Sequence, residues 1–139
     1  MRIAVPKETS PGERRVALVP ESCKKLRQAG YEIAIEAAAG AAAGFPDAAY
    51  RELGVAVDPD PAALLGSADL VLKVTAPAAG QSGRDEIRLM RPGAICLGSL
   101  MPLRNLEAVH SLAARKITAF AIDAIPRTTA DDLIRLKRL

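Results

Sequence analysis

Two places in the 139-residue chain carry side chains whose chemistry is at odds with their surroundings. Lys73 stands within Leu70-Val-Leu-Lys-Val-Thr-Ala-Pro77, near the end of an otherwise apolar run. Burying an ammonium is costly unless it finds a partner. Lys73 is therefore either a cation aimed into a site, or a strand-end lysine whose stem packs while its head reaches water. The second place is the loop over residues 6–15, which strings Lys7, Glu8, Glu13, Arg14 and Arg15 between apolar runs at 3–5 and 16–19. Loops held by a rigid scaffold are where binding groups tend to sit; the plain alternative is a solvated charged loop. Other reactive types are sparse. His110 falls in the middle of an amphipathic helix, on its exposed side. Cys23 and Cys96 are far apart and outside any paired motif, so two reduced thiols are expected rather than a disulfide or a zinc site.

These residues must be held by a core of Ala, Val, Leu and Ile, because half the chain is apolar yet it has only two Phe, two Tyr and no Trp. The net charge of +3 is mild, and the basic residues are scattered without interleaved aromatics, which argues against a nucleic-acid surface. No apolar run approaches ~18 residues, so no membrane insertion is expected, and no charged-then-apolar leader opens the chain. Short apolar runs at 3–5, 33–35, 55–57, 70–74, 94–97 and 117–122 read as strands. Between them lie helical stretches at 20–29, 46–53, 60–66, 84–90 and 105–115, opened by Pro20, Pro46-Asp47 and Asp60-Pro61 and closed by Gly30, Gly54 and Gly66. Thr129 with Asp132 resembles a capping box for a terminal helix reaching residue 139. Strands alternating with helices predict a three-layer α/β domain: a mostly parallel sheet of about five or six strands, flavodoxin- or Rossmann-like, with helices on both faces. Ligands in such folds bind beyond the carboxyl ends of the strands, which brings Lys73, Met101 and Arg127 towards one rim with Arg15. The alanine-glycine stretch 37–44 is no phosphate loop, since neither Gly-x-Gly-x-x-Gly nor Gly-Lys-Ser/Thr is present.

Val5-Pro6-Lys7-Glu8, followed by Pro11-Gly12-Glu13-Arg14-Arg15-Val16-Ala17-Leu18-Val19-Pro20, closely resembles the opening of the alanine dehydrogenase and nicotinamide nucleotide transhydrogenase family. The resemblance implies that Arg15, before the Val-Ala pair, reaches the pocket where a substrate carboxylate would sit. A planar guanidinium suits that role, since it grips a carboxylate through two parallel hydrogen bonds. Arg14 has no matched role and is taken as surface. The Leu-Lys-Val-x-x-Pro pattern implies that Lys73 is the pocket lysine that, in alanine dehydrogenases, hydrogen-bonds the substrate carbonyl. In the family, the alanine-glycine loop is a structural crossing.

Leu97-Gly-Ser-Leu-Met-Pro-Leu103 separates the two branches. Alanine dehydrogenases carry a catalytic histidine near Met101, and a thioether cannot move a proton. Transhydrogenases lack that histidine and show a proline, as Pro102 does. Ile117-Thr-Ala-Phe-Ala-Ile-Asp-Ala-Ile-Pro-Arg127 continues the transhydrogenase likeness and implies that Arg127 opens a loop reaching the nicotinamide of bound NAD. The likeness ends there, so residues 1–127 read as the family's N-terminal domain and 128–139 as a divergent helix or truncated tail. The family binds NAD in a second domain carrying the glycine-rich fingerprint, expected beyond residue 139. The implied function is that of the NAD(H)-side alpha subunit of a proton-translocating transhydrogenase, not catalytic by itself, with NADP held in a beta subunit or NADP-binding domain. A homodimer in the cytoplasm, or at the cytoplasmic face of the inner membrane through partner subunits, goes with that reading. An amino-acid dehydrogenase piece of alanine or saccharopine type, or a non-catalytic dimerisation or regulatory remnant, are the alternatives.

Overall fold

A computed structural model describes residues 1–80 and 84–125. Arg127 and the capping box at Thr129 lie outside the described residues. The elements run β1 (Arg2–Val5), α1 (Pro20–Gln28), β2 (Glu32–Glu36), α2 (Asp47–Arg51), β3 (Ala56–Asp58), α3 (Pro61–Gly66), β4 (Leu70–Leu72), α4 (Glu86–Leu89), β5 (Ile95–Gly98), α5 (Leu106–Ala114) and β6 (Thr118–Ala121). The six strands form one sheet in the order β3-β2-β1-β4-β5-β6, and every pairing is parallel. This is the doubly wound α/β arrangement, with the chain reversing its direction of travel between β1 and β4.

The period-two alternation of each strand splits the core in two. Ile3, Val5, Ile33 and Ile35 face α1 and α2, packing with Cys23 and Tyr50. Ala4, Ala34, Val71 and Cys96 face the other way, against Leu64, Leu65, Ile87, Met90, Ala108 and Leu112 from α3, α4 and α5. Small residues on that second face let three helices sit close to the sheet. The half of the first face over β4 to β6 has no helix of its own among the described residues. There the in-register row Leu72, Leu97 and Phe120 runs from half-buried to exposed.

Several elements are shorter than their apolar runs, and local hydrogen bonding explains why. β4 stops at Leu72 because the Val74 N–H donates to the Glu8 carboxylate (2.7 Å) rather than to a neighbouring strand. β6 stops at Ala121 because its partner β5 ends at Gly98, opposite it, and the chain turns into a 3-10 turn at Ile122–Ala124. α4 starts two residues later than the charge pattern suggests: Asp85 caps it by accepting the Arg88 N–H, and Arg84 is drawn away to Glu36. The alanine-glycine stretch is a crossing, with a 3-10 turn at Ala41–Ala43. A Cβ on Gly40 would stand 2.7 Å from both the Phe45 carbonyl and the Tyr50 hydroxyl, so only glycine fits. The same hydroxyl donates to the Leu18 carbonyl (3.0 Å) and ties this crossing to the chain entering α1.

Candidate functional site

The carboxyl-end rim of the sheet is built in two parts. The crevice between β1 and β4, where a doubly wound sheet ordinarily receives a ligand, is filled by the protein's own charges. Lys73 follows β4 with its side chain fully buried, and its Nζ donates to Glu86 Oε2 (2.6 Å) and stands 3.4 Å from Glu8 Oε2. Arg84 bridges onward, donating through Nη1 to Glu36 Oε1 and through Nη2 to Glu86 Oε1, both at 2.6 Å. The carboxylates are also spent on backbone. Glu8 accepts from the Thr75 hydroxyl (2.6 Å) and the Val74 N–H, Glu36 from the Lys7 N–H (2.8 Å), and Glu86 from the Ala78 N–H (2.9 Å). Loops leaving β1, β2 and β4 are thereby knitted together. Burial pushes the Glu86 carboxyl up, but Lys73 first and Arg84 next outweigh it and hold its pKa below the ordinary range. Such a group stays ionised because its partners are as buried as it is.

Beside this knot an open cleft of about 900 Å³ runs over the ends of β4, β5 and β6. Its walls are mainly apolar: residues 16–19, Phe45, Leu72, Leu97, Met101 and Ile122, with Thr75, Ser99 and Asp123 as polar points. Gly98 makes the floor possible, since a Cβ there would lie 2.8 Å from the Lys73 carbonyl. Arg15 and Lys73 both line this cleft, so the structure brings together the two cations expected at the rim. They enter it differently. Lys73 contributes its stem and backbone, while its ammonium faces Glu86 and Glu8. Arg15 is 73% exposed and is gripped along one edge by Glu13, with Nε to Oε1 at 2.8 Å and Nη2 to Oε2 at 2.7 Å. That grip and the Arg15 N–H lower the Glu13 pKa to about 2.

Met101 lies at the cleft mouth with φ +42°, a backbone setting that costs a side-chain residue energy. Asp123 holds it there by accepting the N–H groups of Leu100 (2.8 Å) and Met101 (3.0 Å). His110 is on the exposed side of α5, away from the cleft lining. Cys23 and Cys96 are buried free thiols, pushed by burial up to about 11 and about 12, so neither is a nucleophile. Among the described residues no group of His, Cys, Asp and Glu is arranged to hold a metal, and no helix is long and apolar enough to cross a membrane.

Sequence reasoning missed Glu36, Arg84 and Glu86 and gave Glu8 no role. One signal was available: a lysine inside an apolar strand needs a counter-charge, and Glu8 sits in the loop after the neighbouring strand. Glu86 carried no local mark, because its burial follows from α4 packing beneath β4.

Known proteins share both the sequence pattern and this geometry. The family model "Alanine dehydrogenase/PNT, N-terminal domain" matches residues 4–138. The first of the separate chains that make up the NAD(P) transhydrogenase alpha subunit of Rhodospirillum rubrum is 42% identical over 127 residues, covering 91% of this chain and 33% of the relative. An alanine dehydrogenase of Geobacillus stearothermophilus is 33% identical over 125 residues, 90% of this chain and 32% of the relative. A transhydrogenase structure from Sinorhizobium meliloti superposes with a TM-score of 0.84 at 36% identity, covering 93% of this chain and 37% of that one. The chain thus spans about a third of the length of these curated relatives. With the match running nearly end to end, and the fold shared, the chain belongs to the alanine dehydrogenase/PNT N-terminal domain family.

Proposed function

We propose that this domain is the N-terminal part of the NAD(H)-side alpha subunit of a proton-translocating NAD(P) transhydrogenase, where it forms one wall of the site for hydride transfer between NADH and NADP⁺. The observation that carries this reading is the cleft's lack of a proton-transfer group. Met101 stands where the family's alanine dehydrogenases place a histidine, and no histidine lines the cleft among the described residues. Interconverting an amino acid and an oxo acid requires protons to be moved on nitrogen and oxygen, hence a general acid and base. Passing hydride from one nicotinamide C4 to another requires neither, only orientation and exclusion of water. A largely apolar cleft with few polar points suits that task.

On this reading Arg15 and Lys73 belong to the pocket wall, and Arg127 opens the loop that meets the nicotinamide end of NAD. The dinucleotide itself is held by a second domain with a glycine-rich turn, NADP by a partner beta subunit or NADP-binding domain. The unit acts as a homodimer at the cytoplasmic face of the membrane, with residues 128–139 a divergent terminal segment. The 139-residue chain has no glycine-rich phosphate turn, and its sheet crevice is filled by Lys73, Arg84 and three carboxylates. It is therefore expected to bind NADH with a dissociation constant above about 100 μM, weaker than about −5.5 kcal/mol, as calorimetry would measure.

The test uses the complete protein with its NADP partner. Hydride transfer from NADH to NADP⁺ without alanine-dependent reduction of NAD⁺ is the expected result; the reverse pattern overturns the proposal. Arg127→Ala should slow transfer by roughly 10- to 100-fold, the loss of one charge-assisted hydrogen bond. A lowered melting temperature with unchanged transfer would instead make Arg127 a loop stabiliser.

A further inference from the structure

The Arg15 guanidinium has two hydrogen-bonding edges, and only one is in use. Its Nε and Nη2 are taken by Glu13, while Nη1 makes no hydrogen bond among the described residues. Glu13 is not a loose counter-ion, because its own position is built. Ser10, Pro11, Gly12 and Glu13 form a tight turn closed by the Glu13 N–H donating to the Ser10 carbonyl (3.1 Å), with Gly12 at φ +78°. Proline then a positive-φ glycine is the pattern of a type II turn, which has little freedom. The turn is tethered in its own right: the Ser10 hydroxyl lies 3.0 Å from the Thr75 hydroxyl, which donates to Glu8 in the buried knot. Glu13 Oε1 also accepts the N–H groups of Arg14 (3.0 Å) and Arg15 (2.9 Å), so its carboxylate is locked to the backbone of the residue it grips. Its side chain is only 11% exposed although the arginine beside it is open to solvent.

We propose that Glu13 is a positioning residue for Arg15: it clamps the Nε–Nη2 edge and presents the opposite end of the guanidinium, Nη1, to an oxygen acceptor of the guest in the cleft. This rests on the reading of the cleft as a nicotinamide pocket, and the acceptor is then a carboxamide carbonyl or hydroxyl oxygen of the cofactor's nicotinamide riboside end. An exposed arginine carries large rotamer entropy that it loses when it engages a guest; a clamped one has lost it beforehand, so its remaining donors bind with less ordering cost. The sequence of constraints runs from the knot through Thr75, Ser10 and the Pro11-Gly12 turn to Glu13 and finally to Arg15.

Two measurements decide it. In the 139-residue chain, the Arg15 Nε–H nuclear magnetic resonance signal, assigned by its loss in Arg15→Lys, should be displaced and protected from exchange at neutral pH. It should collapse to free-arginine behaviour only as pH falls towards about 2, where Glu13 takes a proton. In Glu13→Gln, protection should be gone at every pH. A native signal that exchanges like free arginine at neutral pH overturns the clamp. In the complete protein, Glu13→Gln should raise KM for NADH about 10-fold with kcat changed far less, and Glu13→Gln combined with Arg15→Lys should do no more than Arg15→Lys alone. Full loss from Arg15→Lys with none from Glu13→Gln overturns the positioning role. No loss from either variant makes the pair a loop staple and also overturns it. If the complete protein oxidises alanine instead of passing hydride to NADP⁺, the transhydrogenase reading fails. The same pair of variants, scored on KM for alanine, then still decides whether Glu13 positions Arg15.

Discussion

The two halves of the carboxyl-end rim use similar chemistry to opposite ends. Over β1, β2 and β4 the rim is closed, with Lys73, Arg84, Glu8, Glu36 and Glu86 satisfying one another and the loop backbones around them. Over β4, β5 and β6 it is open, apolar, and edged by one exposed guanidinium. Lys73 stands at the seam, its ammonium in the closed half and its stem in the open one. The difference teaches that a charged residue near a sheet end is not by itself a binding group. In the closed half every charge has a partner, and the knot acts as scaffold. In the open half one edge of Arg15 remains unspent, and only there can a guest be met without displacing a protein partner.

The largest expected way to break this contrast is Glu86→Ala, which leaves the Lys73 ammonium and the Arg84 fork short of their most buried partner. Removing one member of a buried pair costs roughly 3–5 kcal/mol, read as a large drop in the urea midpoint, whereas Glu13→Ala in the open half should cost far less. Acid sharpens the same comparison. The Glu86 pKa is lowered from 4.5 on folding, so its contribution is in place above that value and is lost as pH falls through the lower folded value. Stability should therefore decline below pH 4.5 in the native chain, and more shallowly in Glu86→Gln. At the cleft mouth, Asp123→Ala removes two acceptor bonds and should cost about 1–3 kcal/mol by leaving the Leu100 and Met101 N–H groups short of a partner. Met101→Gly relieves a positive φ and should gain about 1 kcal/mol; a loss would mean that the Met101 side chain contributes more packing than its 44% exposure suggests. The smallest effect belongs to Arg14→Ala, one residue from the clamped arginine, which should stay within about ±0.5 kcal/mol.

Much of this domain was legible before folding. The alternation of short apolar runs with capped helical stretches marked all six strands and five helices, because each strand buried by parallel pairing must be apolar over its length and each crossover must be a helix. Arg15 and Lys73 were legible through the motifs in which they stand, and Gly40 through the crowding that an alanine-glycine crossing implies. The truncations of β4 and β6 were not, since they depend on which carbonyl or carboxylate lies opposite a given N–H, and that is a matter of register between distant segments. The ion knot was equally hidden. Glu8 meets Lys73 across 65 residues of chain and Arg84 meets Glu36 across 48, and nothing local tells a glutamate that will be fully buried, like Glu86, from one that stays in water. What the sequence determined by itself was therefore the elements and the family pattern, both set by local spacing. Which charges are consumed by the scaffold and which stay free for a guest was decided by the tertiary structure alone, because it depends on distances between residues that only the closed sheet brings within hydrogen-bonding reach.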